Sequence, residues 1–335
     1  MKKSVTVVVG GQFGSEAKGK VISYLANEFD IAVRTGSPNA GHTVVKNGKT
    51  YRLQQIPATF LNKKCVLCIG AGALINPNIL EKEVKLTQTH SRLYIDPQAG
   101  IIERKHLEAE SELVKTIGST GKGCGAALSD RIWRTNFKLA RDVLKNKFNV
   151  VDVSEIINNG INKGKSILVE GTQGFGLSIY HGIYPYTTAR DTTAANFLAE
   201  AGISPLSVKE IILVIRTYPI RVAGPSGPIP NEISWEKLSK QIGKSIIEMT
   251  TVTGKIRRVA EFDIEIVKKA IQINRPTQIA LQFLNYLFPE DENKTKWNSL
   301  SASAKKYILN LEKQLGIPII LIGTGVDHAA MVDRR

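Results

Sequence analysis

Apolar residues come in short runs separated by turn-forming clusters, and two periodicities alternate along the chain. Ser4–Val9 is almost continuously apolar, the pattern of a strand buried on both faces. Glu16–Asn27 follows with Val21, Ile22 and Leu25 on one side of a 3.6-residue spiral, so a helix is predicted there. The alternation recurs. Further strands are predicted at Val66–Gly70, Leu93–Ile95, Ser166–Glu170, Ile211–Thr217, Gln278–Phe283 and Ile319–Gly323. Helices are predicted at Pro77–Thr89, Phe137–Lys147, Ser154–Asn162, Trp235–Ile242, Asp263–Asn274 and Ser303–Leu315. Between Val44 and Tyr51 an Asn47-Gly48 pair with strand-like flanks marks a hairpin. Such alternation implies an α/β fold, a largely parallel central sheet with helices on both faces, whose ligands gather at the carboxyl ends of the strands. No repeat or low-complexity linker interrupts the pattern, so residues 1–335 are expected to form a single domain.

Composition narrows the class. Hydrophobic residues make up 42% and charged residues 22%, ordinary for a soluble enzyme. No apolar run is long enough to span a membrane. Met1-Lys2-Lys3-Ser4 leads into a six-residue apolar run, Val5 to Gly10, too short for a signal-peptide core, so a cytoplasmic protein is expected. The net charge of +15 is compatible with nucleic acid or with anionic small substrates. Lysines and arginines are spread along the chain without an arginine-rich arm, which favours the small substrates. Cys65 and Cys68 form a C-x-x-C that could suggest zinc or redox chemistry; without a second ligand pair, two buried thiols are the expectation.

The first strand runs into Gly10-Gly11-Gln12-Phe13-Gly14-Ser15-Glu16-Ala17-Lys18-Gly19-Lys20, in which Gly14 to Lys20 fits G-x-x-x-x-G-K. Glycines let backbone amides point at a phosphate, and the following helix adds its positive end. Val21 stands where an ordinary P-loop has the Ser or Thr that holds magnesium, so the metal must be held differently.

Seven segments in chain order then resemble one family. The loop resembles the adenylosuccinate synthetase signature W-G-D-E-G-K-G-K. Asn39-Ala40-Gly41-His42-Thr43 is similar to N-A-G-H-T, and Gly118 to Gly125 to G-T-T-G-R-G-I-G. Glu170-Gly171-Thr172-Gln173-Gly174 resembles E-G-A-Q-G, and His181 to Thr188 resembles H-G-T-Y-P-Y-V-T. Thr253 to Arg258 is similar to T-G-R-R-R-R, and Gly323 to Asp327 to S-T-G-P-D.

The resemblance implies a P-loop-like catalytic domain and a two-step ligation. A γ-phosphoryl group moves to the purine 6-oxygen, and the aspartate amine then displaces it. His42 is implied as an acid or electrostatic stabiliser beside the transferring oxygen, with Lys18 and Lys20 neutralising phosphate charge. Gly14, Ser15, Glu16, Ala17, Gly19, Gly41, Thr43, Gln282, Asn285, Gly323, Thr324 and Gly325 would complete the nucleoside triphosphate site. Mg2+ would be held by the Gly41 carbonyl and by Ser15. Ser15, which would also act in catalysis, Asn39, Ser119, Thr120, Gln173 and Thr188 would bind the acceptor nucleotide. Arg134, fourteen residues after Thr120, would reach the acceptor's 5′-phosphate from a neighbouring subunit, implying a homodimer. Thr253, Gly254, Lys255, Arg257 and Arg258 would hold L-aspartate, since guanidinium forks suit carboxylates.

Three departures from the family pattern bear on the substrates. Ser15 stands in place of the catalytic aspartate, and a hydroxyl has no comparable basicity. Ala280 to Asn285 aligns with A-L-T-K-L-D, whose last residue reads guanine. Asn285 offers a donor and an acceptor that match adenine, so ATP or dATP is expected as donor. Lys255 replaces an arginine that contacts the acceptor ribose. These changes resemble the phage-associated PurZ-type branch, which joins dGMP to aspartate to give N6-succino-2-amino-2′-deoxyadenylate. dGMP is therefore the expected acceptor, with a compact enzyme using IMP and GTP as the alternative and a non-ligase nucleotide-binding or nucleic-acid-binding protein as a third.

Overall fold

The computed structural model describes residues 3–134, 136–249, 254 and 256–335. Ten strands form one sheet: β1 Val5–Gly10, β2 Ile31–Arg34, β3 Val66–Ile69, β4 Leu93–Ile95, β5 Asn149–Val150, β6 Ile167–Glu170, β7 Val208–Arg216, β8 Gln278–Gln282, β9 Ile319–Gly323 and β10 Met331–Asp333. Their order is β10-β9-β8-β7-β1-β6-β2-β3-β4-β5. Neighbours run parallel except β9 and β10, so the expected largely parallel α/β sheet is present. The order reverses around β1, and its loop opens where ligands enter such sheets.

The apolar runs alternate between two cores. Val5, Val7, Val9, Val33, Val169, Leu213 and Leu281 pack beneath helices Val153–Asn162, Ala194–Ala201, Ile264–Asn274 and Ala302–Leu315. Val8, Ala32, Leu67, Leu168, Val214 and Ala280 face the opposite layer, with α1 (Lys18–Leu25) and helix Pro77–Thr87. Cys65 and Cys68 belong to opposite cores as free thiols, so they cannot chelate one ion. No helix among the described residues is long and apolar enough to cross a membrane.

Tertiary contacts redraw some predicted elements. The first helix begins at Lys18 rather than Glu16, because Ser15 (φ 59) and Ala17 (φ 64) take left-handed conformations. Phe137–Lys147 is helical only over Ala140–Val143. Ahead of it, Lys138 accepts the Ile101 amide and Leu139 bridges Gly100, which holds the chain extended. Helices Arg104–Ala109, Ser111–Thr116 and Cys124–Trp133 were not foreseen. Their ends are set by side chains with no periodic signature: Glu110 accepts the amides of Gly123 (2.7 Å) and Gly125 at the start of Cys124–Trp133.

Candidate active site

The loop after β1 is drawn tight by one carboxylate. Glu16 is fully buried, and its Oε1 accepts from the amides of Gln12 (3.1 Å) and Gly14 (2.7 Å). Its Oε2 pairs with Lys18 Nζ at 2.7 Å. A side chain at Gly10 would place its Cβ 2.6 Å from Glu16 Oε2 and 2.7 Å from the Gln173 carbonyl, so only glycine fits there. Gln12 ties the loop to β7, donating to the Arg216 carbonyl at 3.1 Å and accepting the Arg216 amide at 2.9 Å. Lys20 is drawn away from the loop. Its ammonium donates to the carbonyls of Gly325 (2.5 Å) and Ala330 (2.8 Å), and burial pulls it down to about 7 against the pull of Asp327.

His42 opens the hairpin His42–Lys46/Lys49–Leu53, directly beside α1. A Cβ on Gly19 would come within 2.8 Å of the His42 Cβ, so this glycine permits the approach. The imidazole is buried. Its Nδ1 lies 2.6 Å from Glu170 Oε1 and 3.0 Å from Arg34, and Arg34 also bonds Glu170 and donates to the Ala40 carbonyl at 2.8 Å. Glu170 Oε2 accepts the Ala58 amide at 2.7 Å. Burial alone would raise Glu170, but Arg34 and His42 outweigh it and hold the carboxyl below its usual range. Burial and Arg34 pull His42 down to about 4, with Glu170 opposing. The neutral ring therefore carries its proton on Nδ1, facing the carboxylate, and its Nε2 is buried without a partner.

Other expected site residues divide into groups. Asn39 Nδ2 reaches Thr188 Oγ1 at 3.3 Å, so those two converge. Gln173 takes a left-handed conformation (φ 63) at the turn after β6. Ser119 and Thr120 lie in a half-buried loop where Gly118 abuts Ser226. Arg134 ends helix Cys124–Trp133 on the open surface, next to Ile132 and Trp133, which are 74% and 71% exposed. Arg257 bonds the Ser15 hydroxyl and donates to the Met249 carbonyl at 3.0 Å. Arg258 is taken by Glu232 (2.7 Å from Nε) and the Gly227 carbonyl (2.6 Å). Gly254 is exposed; Thr253 and Lys255 lie outside the described residues.

At the end of β8, Gln282 is buried with an unpartnered Oε1 over Gly323, and its amide touches Met331 sulfur. Asn285 follows on a short turn and reaches Glu292 at 3.5 Å. Thr324 Oγ1 donates to the Lys294 carbonyl at 2.6 Å, and Gly325 packs against Asn293.

Sequence reasoning gave no role to several buried charges. Arg216, with no exposed surface, donates to the Ser15 carbonyl at 2.9 Å, pairs with Glu248 and lies 3.9 Å from the centre of the Phe283 ring. Tyr286 adds a hydrogen bond to Glu248 at 3.1 Å. Arg34, Glu170 and Arg216 share a signal: each is the last residue of an apolar strand. A charge in that position stands at the carboxyl edge where ligands bind.

A glycine-rich strand-to-helix loop beside a buried histidine, at the carboxyl edge of a parallel sheet, is the arrangement of an α/β enzyme. The family model described as "Adenylosuccinate synthetase" matches residues 7–149 and 138–292. The chain is 44% identical over 348 residues to the adenylosuccinate synthetase of Methanocaldococcus jannaschii, covering 100% of this chain and 99% of that one. It is 42% identical over 339 residues to that of Methanococcus vannielii, covering 98% of each. The chain belongs to the adenylosuccinate synthetase family, carbon–nitrogen ligases that join a purine nucleotide to aspartate. Two solved structures are similar. Fully ligated adenylosuccinate synthetase from Plasmodium falciparum has a TM-score of 0.89 at 24% identity (99% of this chain, 100% of that one) and shows the shared fold. The succinoaminodeoxyadenylate synthetase (PurZ) of cyanophage S-2L, bound to dGMP and dATP, has a TM-score of 0.85 at 28% identity (100% and 96%).

Proposed function

We propose that the chain is an adenylosuccinate synthetase acting on inosinate (IMP), L-aspartate and GTP. The observation that carries the ligase chemistry is His42, a buried histidine with a free Nε2 packed beside Gly19, where the strand-to-helix loop enters α1. In the first step the purine N1 gives up its proton to water, the O6–P bond forms and the bond from the γ-phosphorus to the β–γ bridging oxygen breaks. His42 Nε2 and Lys18 offset the charge that gathers on the transferring group. In the second step the aspartate amine attacks C6, the O6 phosphate leaves, and the amine loses its proton. Arg257, which bonds the Ser15 hydroxyl, would release it to receive an aspartate carboxylate.

Among the described residues no three acidic, histidine or cysteine side chains converge as a metal site. Magnesium bound to the triphosphate would be held by the Gly41 carbonyl and Ser15 and would offset phosphate charge. Arg134 would serve the acceptor phosphate of a second subunit, and the exposed Ile132 and Trp133 beside it suit a homodimer contact.

Two observations favour a second reading. A hydroxyl, Ser15, stands in the loop where the family places a carboxylate, and Asn285 takes the guanine-reading position. Both support dGMP as acceptor with ATP or dATP as donor, and the cyanophage neighbour carries those two ligand types. The archaeal relatives' shared name supports IMP and GTP. Product mass spectrometry after incubation with aspartate, Mg2+ and each acceptor–donor pair decides. Succinyl product from IMP and GTP alone supports the first reading; product from dGMP with ATP or dATP, and none from IMP, replaces it with the second. No succinyl product from any pair overturns both.

A further inference from the structure

We propose that Glu110 is a positioning residue for the 5′-phosphate of the acceptor nucleotide. Its carboxylate fills the N-terminus of helix Cys124–Trp133 as a built-in anion and so fixes the 118–123 loop, whose Ser119 and Thr120 take the phosphate. The inference deepens the ligase reading and rests on its acceptor residues, Asn39, Ser119, Thr120 and Thr188. Glu110 is buried at the joint between helices Arg104–Ala109 and Ser111–Thr116. Its Oε2 accepts the Gly123 amide at 2.7 Å, and its Oε1 accepts the amides of Gly125 and Ala126, the latter at 3.4 Å. Gly123 (φ 74), at the capping position itself, supplies no side-chain bond. The helix is thus capped from 13 residues upstream.

Two placements give this cap a task beyond folding. First, the helix start adjoins the expected acceptor residues. The Cys124 thiol faces the Asn39 amide and the Ser37 side chain. A Cβ at Gly125 would lie 3.5 Å from the Ala189 Cβ, next to Thr188, and Thr188 Oγ1 meets Asn39 Nδ2 at 3.3 Å. Second, Glu110 leads into the stretch that ends in the loop. The Ser119 amide donates to the Leu113 carbonyl at 3.1 Å, and the Ser119 hydroxyl accepts the Gly121 amide at 3.3 Å. Gly118 (φ 67) packs so close to Ser226 that a Cβ would meet its backbone nitrogen at 3.1 Å. The loop is therefore strung between Leu113, Ser226 and the Glu110 cap. A helix N-terminus attracts anions, and these amides already hold one. A phosphate arriving at the same amides would be repelled by the buried carboxylate, so the loop hydroxyls just upstream receive it.

The test compares binding of IMP with inosine, and of dGMP with deoxyguanosine, by calorimetry. Its readout is the phosphate preference, the Kd of the nucleoside divided by that of its monophosphate, for whichever monophosphate binds tighter. Glu110→Gln keeps the shape, removes the charge and turns an NH2 group toward an amide. It should lower the preference about tenfold or more and raise KM for the acceptor in step, with KM for the donor and for aspartate within about twofold. In Gly125→Ala the new Cβ would stand 3.1 Å from Glu110 Oε1 and displace the carboxylate slightly, while alanine favours the helix. This variant should lower the preference several-fold, and it decides the matter if Glu110→Gln does not fold. A lower urea midpoint at unchanged preference would make Glu110 a helix cap alone and overturn the proposal. A raised preference in Glu110→Gln would mean that the phosphate displaces the carboxylate, which overturns it as well. A wild-type chain with no phosphate preference overturns the proposal together with the acceptor reading. If no succinyl product forms but the preference falls as stated, the ligase reading fails and the role of Glu110 stands.

Discussion

Two sets of the residues expected at the site are built differently. In one, His42, Arg34, Glu170 and Arg216 are buried, and each is held by hydrogen bonds within the chain. In the other, Arg134 stands on the surface, and Ser15 is exposed with its hydroxyl against Arg257. Groups that meet the transferring phosphoryl group gain most from fixed geometry in a dry setting, because reorganising them during the reaction would add to the barrier. Groups that admit and release substrates must remain reachable. The chain therefore combines a preorganised centre with an adaptable rim, and substitutions in the two sets should fail in different ways.

The largest effect is expected at the centre. His42→Asn keeps a polar side chain but cannot hold a proton at the Nε2 position. It should lower kcat by about a hundredfold to ten-thousandfold with KM for each substrate within a few-fold. Steady-state kinetics with the acceptor varied checks this; a rise in KM alone would move His42 to the binding rim. Next in size is Arg216→Leu. It leaves the Glu248 carboxylate without its guanidinium and removes the hydrogen bond to the Ser15 carbonyl. A mostly buried carboxylate stripped of its partner costs about 3 kcal/mol. Urea unfolding should show that loss in the midpoint, and it should accompany reduced activity because the phosphate loop is anchored there.

On the rim the contrast is sharpened by Ser15→Asp. The new carboxylate would meet Arg257 as an ion pair and restore the acid that the family pattern places there. Global stability should change by under about 1 kcal/mol, since the site is exposed. The ratio of kcat/KM for IMP to that for dGMP should rise at least tenfold. An unchanged ratio would show that this position does not select the acceptor.

Much of this architecture can be read from the residues. The buried strands announce themselves as apolar runs, and the loop from Gly10 to Lys20 falls where its glycines place it. The charges that end strands, Arg34, Glu170 and Arg216, carry a readable signal too, because each interrupts an apolar run at its carboxyl end. What the local pattern cannot carry is partnership across the chain. Lys20 reads as a phosphate ligand, yet carbonyls some three hundred residues away take its ammonium. Arg258 reads as a carboxylate binder, yet Glu232 occupies it. The extended backbone at Lys138 is fixed by pairing with residues 100–101, so helical spacing alone misleads there. Local preference sets the menu, and long-range hydrogen bonds choose from it.

The smallest expected effect concerns how the loop is held. Ala17 sits at φ 64, ψ 37 just ahead of α1, without a side-chain cap. A left-handed conformation costs an L-residue with a Cβ roughly 1–2 kcal/mol. Glycine escapes that cost but loses about 0.4–1 kcal/mol through the greater freedom of its unfolded chain. The balance favours Ala17→Gly by about 0.5–1 kcal/mol, to be read as a higher urea midpoint at unchanged slope. Glu16 bonds the amides of Gln12 and Gly14, not that of residue 17, so the loop should keep its shape and kcat its value within about twofold. A lower midpoint would mean that the alanine methyl contributes packing worth more than the strain. A marked fall in kcat at raised stability would instead show that the strained backbone serves turnover, and would extend the preorganised centre across the loop to the rim.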